Sequence, residues 1–470
     1  MRKLPSLPQE SKSLPTTTKT VYPVLKYKIH VVTPMFGGGV QAGMIDTKNP
    51  IRSSAIRGQL RFWWRATRGA AFQNAYDLRK REIEIFGDTE HPSPIKIWVE
   101  NVMNRIPKSY TLQKGTRPPY PAYLFQQKKG QTISYLENNY FVLCLQITDL
   151  RRDQKEQDLY KELQNDINAA LWAWINFGGI GSRTRRGCGS LYCSSFSPKP
   201  TINSEDLLIA WIKEKLDDFH CPLHDADPEK EWPTLSLKFK STSYTKEISN
   251  TKGNGIWRDT IEVYRRFRQK KVSSDNPQGR SAWVEPDVLR KLTGMKEEDH
   301  KHPYPKSKSK DLVAFPRVQF GMPIITHFRQ EFDLPPRIFF SDQGEPYDTQ
   351  LVPKDKNRLS SPVILKSIAV GPKQGFGVII VLHQPQIEEV ELSIIEPVVN
   401  NNTQYQHLKT VKSKLRKVRI REREIYPKVS EHPTINYLEN PMNGYSSAIE
   451  AFLNSEEVKE FCQHPNNRKS

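Results

Sequence analysis

The sequence predicts an α+β chain of two tandem units, and three observations predict it. Strand-like and helix-like segments follow one another over residues 25–196 in the order β-α-β-β-α-β. A weaker series of strands and helices starts again at residue 234. The length of 470 residues is enough for two or more domains. Together these predict tandem ferredoxin-like (RRM-like) domains, the second degenerate, with long loops.

The elements justify this in order. Residues 1–22 are polar and proline-rich and read as a flexible arm. LKYKIHVVTP (25–34) reads as a strand and MFGGGV (35–40) as a glycine turn. IRSSAIRGQLRFWWRATRG (51–69) reads as a helix behind the breaker pair Asn49-Pro50, with Ser53 or Ser54 as N-cap. At 100° per residue Ile56, Leu60, Trp63 and Trp64 share one sector, and Arg57, Arg61, Arg65 and Arg68 the neighbouring one. Trp63 and Trp64 are expected in the core rather than as base-stacking platforms. The stretch has no acidic residue, so its arginines repel one another at i, i+4 with no glutamate to offset them. A polyanion facing the helix accounts for that pattern, and a solvated face on a core helix is the alternative.

PIKIWVEN (94–101) alternates like a strand, and NYFVLCLQIT (139–148) reads as a buried one. Residues 104–136 between them read as a loop or hairpin insertion. KEQDLYKELQNDINAALWAWINF (155–177) is an amphipathic helix, GGIGSRTRRGCGS (178–190) a basic glycine loop, and SLYCSSF (190–196) a short strand. The polar segment 201–232 is the expected linker, between an N-terminal domain at 23–200 and a C-terminal one at 233–470. In the second unit TLSLKFKS (234–241), RIFFSD (337–342), SPVILKSIAV (361–370) and FGVIIVLHQ (376–384) read as strands. Residues 256–271 read as a basic helix, FPRVQFGMPI (315–324) as an ordered loop and 446–461 as a closing helix. Residues 272–314 and 341–360 read as loops.

Lys+Arg is 71 against Asp+Glu at 52, a net charge of +19, which favours a polyanionic partner such as nucleic acid. No apolar run is long enough for a membrane span, and no secretory signal is visible, so no membrane association is expected. Five scattered cysteines without a C-x-x-C point to a reducing cytoplasm.

The glycine loop brackets Arg183, Arg185 and Arg186 with Gly178, Gly179, Gly181, Gly187 and Gly189. Glycines let a backbone approach closely, and arginines hold phosphate in two-pronged fashion. No Gly-Lys-Ser/Thr follows, and Thr184 occupies the third-glycine position of a dinucleotide fingerprint, so neither nucleotide motif is present. A sugar-phosphate backbone suits the loop better, and a long helix C-cap with surface arginines is the alternative. The helix stripe and this loop are expected to line one path.

TPMFGGG, IRSSAIRGQLRFWWRATRG, EIFGD (84–88) and FGGIGSRTRRGCGSL, in that order, resemble the RAMP superfamily of CRISPR proteins. The R-x-S-x-I-R-G-x-L-R-x-W-W-R form is similar to the family of Cmr subunit one of the type III-B effector complex, as are FPRVQFGMPI and RLSSPVILK (358–366). The matches span roughly residues 25–370, and the basic KTVKSKLRKVRIRERE (409–424) lies beyond them. The resemblance implies that 23–200 is a RAMP domain. It implies a non-catalytic subunit holding the 3′ region of CRISPR RNA and the paired target RNA, at the end of the complex remote from the 5′ tag. The implied partners are CRISPR RNA, target RNA and other Cmr subunits, both backbone and capping RAMP proteins; no cofactor is implied. The candidate RNA-binding residues are Arg52, Ser53, Arg57, Arg61, Arg65, Gly179, Gly181, Ser182, Arg183, Arg185, Arg186, Arg317 and Arg358.

Three rival readings exist. A metal-independent RNA endonuclease would need a general base near a 2′-OH, and His30 and His327 are the best-placed histidines, though neither lies in a catalytic motif. A zinc set from His220, Cys221, His224, Asp225 and Asp227 with Asp299, His300 and His302 lacks Cys2His2 spacing, and a polar linker is the alternative. A protein scaffold without direct RNA contact would use the arginines on acidic neighbours.

Overall fold

The computed structural model describes residues 23–39, 43–111, 132–148, 156–222, 230–242, 247–248, 255–272, 281–295, 313–328, 345–395, 402–428, 430 and 440–463. The expected arm 1–22 and strand 337–342 lie outside them.

The first half runs β1 (Leu25–Val31), β2 (Met35–Phe36), α1 (Ser53–Ala66), α2 (Ala75–Phe86), β3 (Ile95–Met103), β4 (Lys108–Thr111), β5 (Thr132–Leu136), β6 (Tyr140–Ile147), α3 (Glu156–Phe177) and β7 (Leu191–Tyr192). Four of its strands form one sheet in the order β3-β6-β1-β7, with every pair antiparallel. β2, β5 and β4 form a small separate sheet, so the 104–136 insertion does contain a hairpin.

Alternation decides the faces. Ile29 and Val31 of β1 and Phe141, Leu143 and Leu145 of β6 are buried in one core with Ile56, Leu60, Trp63 and Trp64 of α1 and the apolar side of α3. Trp64, Trp172 and Trp174 are fully buried, each contributing roughly 2–3 kcal/mol of transfer free energy. The core also contains a polar hub. Asp166 of α3 accepts from Trp64 Nε1 at 2.9 Å and pairs with Arg68 and Arg81 at 2.5 and 2.8 Å. A carboxylate this buried survives only when its oxygens are fully satisfied.

The second half runs α4 (Glu205–Asp218), β8 (Phe239–Ser241), α5 (Ile256–Arg268), α6 (Glu285–Thr293), β9 (Ile324–Thr326), β10 (Thr349–Pro353), β11 (Val363–Ala369), β12 (Gly375–Val381), β13 (Glu389–Ile394), α7 (Asn402–Arg416), β14 (Ile420–Arg421), α8 (Glu422–Ile425), α9 (Ala448–Leu453) and α10 (Glu456–Cys462). β8, α5, β11 and β12 make a β-α-β-β set with strand order β11-β12-β8. A second sheet, β14-β13-β10-β9, is built from the following segments. The segment expected as linker carries α4, whose N-cap Ser204 and acidic first turn (Glu205, Asp206) are legible helix signals. The expected loop 272–314 carries α6, with Gly294 in the left-handed conformation at its C-cap. The basic stretch 409–424 folds as the end of α7, β14 and α8 rather than as a tail.

The two halves share a core. Every residue of β11 and β12 is buried. Ile364 and Ile368 face the cluster of α1 and α3, while Val363 and Leu365 face that of α5, α9 and α10. A strand covered on both faces reads as a near-continuous apolar run, as SPVILKSIAV does apart from Lys366 and Ser367.

Candidate nucleic-acid interface

The arginines of α1 stand beside its apolar stripe, as the spacing predicts, but α2 changes their meaning. Arg61 Nε and Arg65 Nη1 donate to the two oxygens of Glu82 on α2 at 2.7 and 2.8 Å, and Arg79 pairs with the same carboxylate at 3.3 Å. The expectation that nothing offsets the stripe is therefore corrected: the glutamate comes from a helix the sequence reading did not assign. Burial works to raise the Glu82 carboxyl, but Arg65 and Arg61 outweigh it and hold it below the usual carboxylate range. Among the described residues Arg57 has no carboxylate among its hydrogen bonds. It donates to the carbonyls of Phe86 at 3.2 Å and Ile95 at 2.7 Å, and burial together with Arg61 lowers its pKa. Arg52, the N-cap residue itself, bonds Gly38 O at 2.8 Å and Asp46 at 2.7 Å; no side chain caps the helix, and Ser53 is its first residue.

An open cleft of about 670 Å³ lies where α1, α2 and β3 meet, lined by Arg57, Arg61, Arg79 and Lys96 with Asp88, Thr89 and Ser93. EIFGD builds one wall. Gly87 ends α2 at φ +72°, where a Cβ would come within 2.6 Å of His91 O and Ser93 N. Asp88 then accepts from the backbone N–H groups of His91 and Glu90, which hold its carboxyl below the usual range. The acid is thus engaged in its own turn, while four cations face the cleft. Arg79 and Lys96 are the residues the sequence reading missed. Asn74, which caps α2 by accepting from Asp77 N at 2.9 Å, was the available signal for α2. Strand alternation from Ile95 already placed Lys96 on the other face.

The glycine loop is the seam between the halves. Leu365 N donates to Arg185 O at 3.0 Å, and Arg185 also donates to Ser361 O. Arg186 reaches Tyr264 Oη at 2.9 Å and Val363 O at 3.4 Å, with its guanidinium 4.1 Å from the Tyr264 ring centroid. Burial, with Arg186 beside it, pushes Arg185 down to about 10, and burial likewise lowers Arg186. The glycines are spent on this chain's own backbone: a Cβ on Gly179 would meet Gly189 O at 2.8 Å, and one on Gly181 would meet Phe36 O at 2.5 Å. Ser182 donates its backbone N–H to Phe36 O at 2.7 Å, and Arg183 adopts φ +58° on the exposed side of the loop. The loop meets α1 through Phe62, 5.2 Å beneath Arg185. The stripe arginines turn instead to α2 and β3. The single path expected from the two basic elements is therefore not formed by these side chains.

Arg317 pairs with buried Glu285 at 3.2 Å, and Arg358 is exposed. Burial and Lys28 lower the pKa of His30 on β1, whereas His327 sits beyond β9 against Asp348 at 2.9 Å, so the two histidines belong to different sheets. Among the described residues no group of three or more His, Cys, Asp or Glu converges to hold a metal, and no helix is long and apolar enough to cross a membrane. His224, Asp225, Asp227, Asp299, His300 and His302 lie outside the described residues.

Residues 28–192 match the family model of the RAMP superfamily. The chain is 28% identical over 190 residues to the CRISPR system Cmr subunit Cmr1-2 of Pyrococcus furiosus, covering 35% of this chain and 92% of the relative. It is 29% identical over 148 residues to Cmr1-1 of the same organism, covering 30% of this chain and 40% of that one. Among solved structures it is similar to apo Cmr1 from Pyrococcus furiosus, with TM-score 0.43 and 17% identity over 84% of this chain and 97% of that one. It is also similar to a chain of type III-B Cmr-beta bound to cognate target RNA, with TM-score 0.43 and 12% identity over 84% of this chain and 98% of that one. Residues 28–192 thus match the RAMP superfamily, and over that part the chain is similar to the Cmr1 subunits.

Proposed function

We propose that this protein is a non-catalytic RNA-binding subunit of a type III-B CRISPR complex, working with other Cmr subunits. It holds the 3′ region of CRISPR RNA and the paired target RNA. The observation that carries this reading is the cleft in which Arg57, Arg61, Arg79 and Lys96 converge while its acid, Asp88, is held by backbone N–H groups. Phosphates are the ligand such a cleft suits, giving affinity without sequence readout. Resemblance to Cmr1 subunits and the net charge of +19 support it. The fold reading that goes with it is a tandem of ferredoxin-like domains at 23–200 and 233–470. The β3-β6-β1-β7 order supports the first, and the three-stranded β11-β12-β8 set supports a degenerate second. Arg358 and Arg183 extend the surface, while the seam arginines act by holding the two halves in register.

Guide-sized RNA is expected to bind the purified chain with affinity that falls log-linearly with salt. Replacing Arg79 and Lys96 with alanine lowers that slope by about 1 to 2 and weakens all sequences alike. No RNA binding, or an unchanged slope, rejects the reading. Arg61→Glu would set a second carboxylate beside Glu82, so that variant reports folding as well as binding. The pairing of Arg61 and Arg65 with Glu82 favours one second reading, a scaffold subunit whose arginines serve the protein alone. Assembly with other subunits without RNA contact would be its signature.

A further inference from the structure

The first sheet has a face turned away from α1 and α3. Alternation puts Lys26, Lys28 and His30 of β1 there, opposite buried Ile29 and Val31. His30 stands directly across from Tyr140 on β6 and from Tyr192 on β7. Three rings therefore form a row across three adjacent strands, with centroids 5.5 and 6.1 Å apart. All three are half-buried. Lys28 Nζ lies 4.3 Å from the Tyr140 ring centroid. Tyr192 is also anchored by the cluster of Ile248, Ile256 and Ala369, which fixes that end of the row.

Charge on this face is positive. Lys26, Lys28 and Lys96 are exposed, and Glu100 is already occupied by Lys26 and Trp98 Nε1, each at 2.9 Å. Lys96 also lines the basic cleft at the edge of the same sheet, so cleft and face are continuous. Rings and cations together select a ligand with both π-faces and phosphates. An acidic peptide would use the lysines and leave the rings idle. Duplex RNA would hide its bases in the stack, so the strand must be single.

We infer that the Tyr140–His30–Tyr192 row is a base-stacking platform for single-stranded RNA, with Lys28 on the phosphates beside it. This rests on the RNA-binding reading above and adds contact to bases. Lys28, on a flexible stem, moves from the Tyr140 ring to phosphate as a base takes its place. Burial and Lys28 favour the neutral imidazole of His30, which stacks without the cost of burying a charge.

The test uses the full chain with a fluorescent single-stranded RNA and the matching duplex. Tyr140→Leu weakens the single strand by roughly tenfold, Tyr140→Phe by no more than about twofold, and neither changes the salt slope, because no cation is lost. His30→Leu tests the same row from the neighbouring strand should Tyr140→Leu fold poorly by circular dichroism. Wild-type affinity in folded Tyr140→Leu and His30→Leu, or equal weakening of single strand and duplex, overturns the platform and leaves the cleft standing. A wild-type chain that binds no RNA overturns both.

Discussion

Two arginine clusters of similar sequence character have different fates. In α1, Arg57 and Arg61 border an open cleft, and Arg61 and Arg65 share a buried carboxylate from α2. In the glycine loop, Arg185 and Arg186 close onto Ser361, Val363 and Tyr264 of the other half. One cluster keeps access to a ligand; the other is part of the chain's own packing. The lesson is that a basic loop bracketed by glycines describes a close backbone approach and leaves open whose backbone approaches. The glycines here admit Phe36 O and Gly189 O.

The sharpest way to break this comparison is at the seam. Arg186→Ala leaves Val363 O and the Tyr264 hydroxyl without their donor, and should cost about 3 kcal/mol in chemical denaturation. RNA affinity of the fraction still folded should stay near wild type. A loss of affinity without loss of stability would return Arg186 to the binding surface.

Glu82→Gln probes the other cluster. It removes the buried charge that holds Arg61 and Arg65 and should cost about 2 kcal/mol. It should also raise RNA affinity at low salt, because two cations lose their internal partner. The pH dependence has a fixed sign. The Glu82 pKa is depressed on folding, so its stabilisation is complete above the ordinary value of 4.5 and fades as pH falls through the lower folded value. Acid titration of Glu82→Gln should therefore show a flatter loss of stability below pH 4.5 than wild type.

A pH-dependent effect also tests the seam. Lys366 on β11 is buried and donates to Gly178 O at the end of α3; burial pushes its pKa down to about 7. The folded chain then binds fewer protons than the unfolded one between about pH 7 and the ordinary 10.5, so stability rises with pH across that window. Below it the full cost of a buried charge applies. Lys366→Met should remove the rise, measured by denaturation at several pH values; an unchanged rise would assign it to another group.

Local patterning made much of the first half readable. The stripe of Ile56, Leu60, Trp63 and Trp64 is helical in period, and all four residues are buried. The 94–101 and 139–148 strands appear at β3 and β6 within two residues. α2 escaped because YDLRKREIEIF mixes charge through its apolar spacing, and its single buried acid, Glu82, looks like any surface glutamate in one dimension. α4 escaped because a polar composition outweighed its caps. Lys366 sits in an apolar run that reads as a buried strand, which is where it is.

The sequence alone determined the main helices and strands of the first half, the cationic excess and the family motifs, because periodicity, capping and composition are local properties. Tertiary structure alone decided which arginines line the open cleft and which are packed into the chain's own seam. That choice depends on carboxylates and carbonyls brought from distant positions: Glu82 lies 21 residues from Arg61, and Val363 lies 177 from Arg186. The energy of an ion in a protein is set by the groups around it in space, and those are fixed only when the chain has folded.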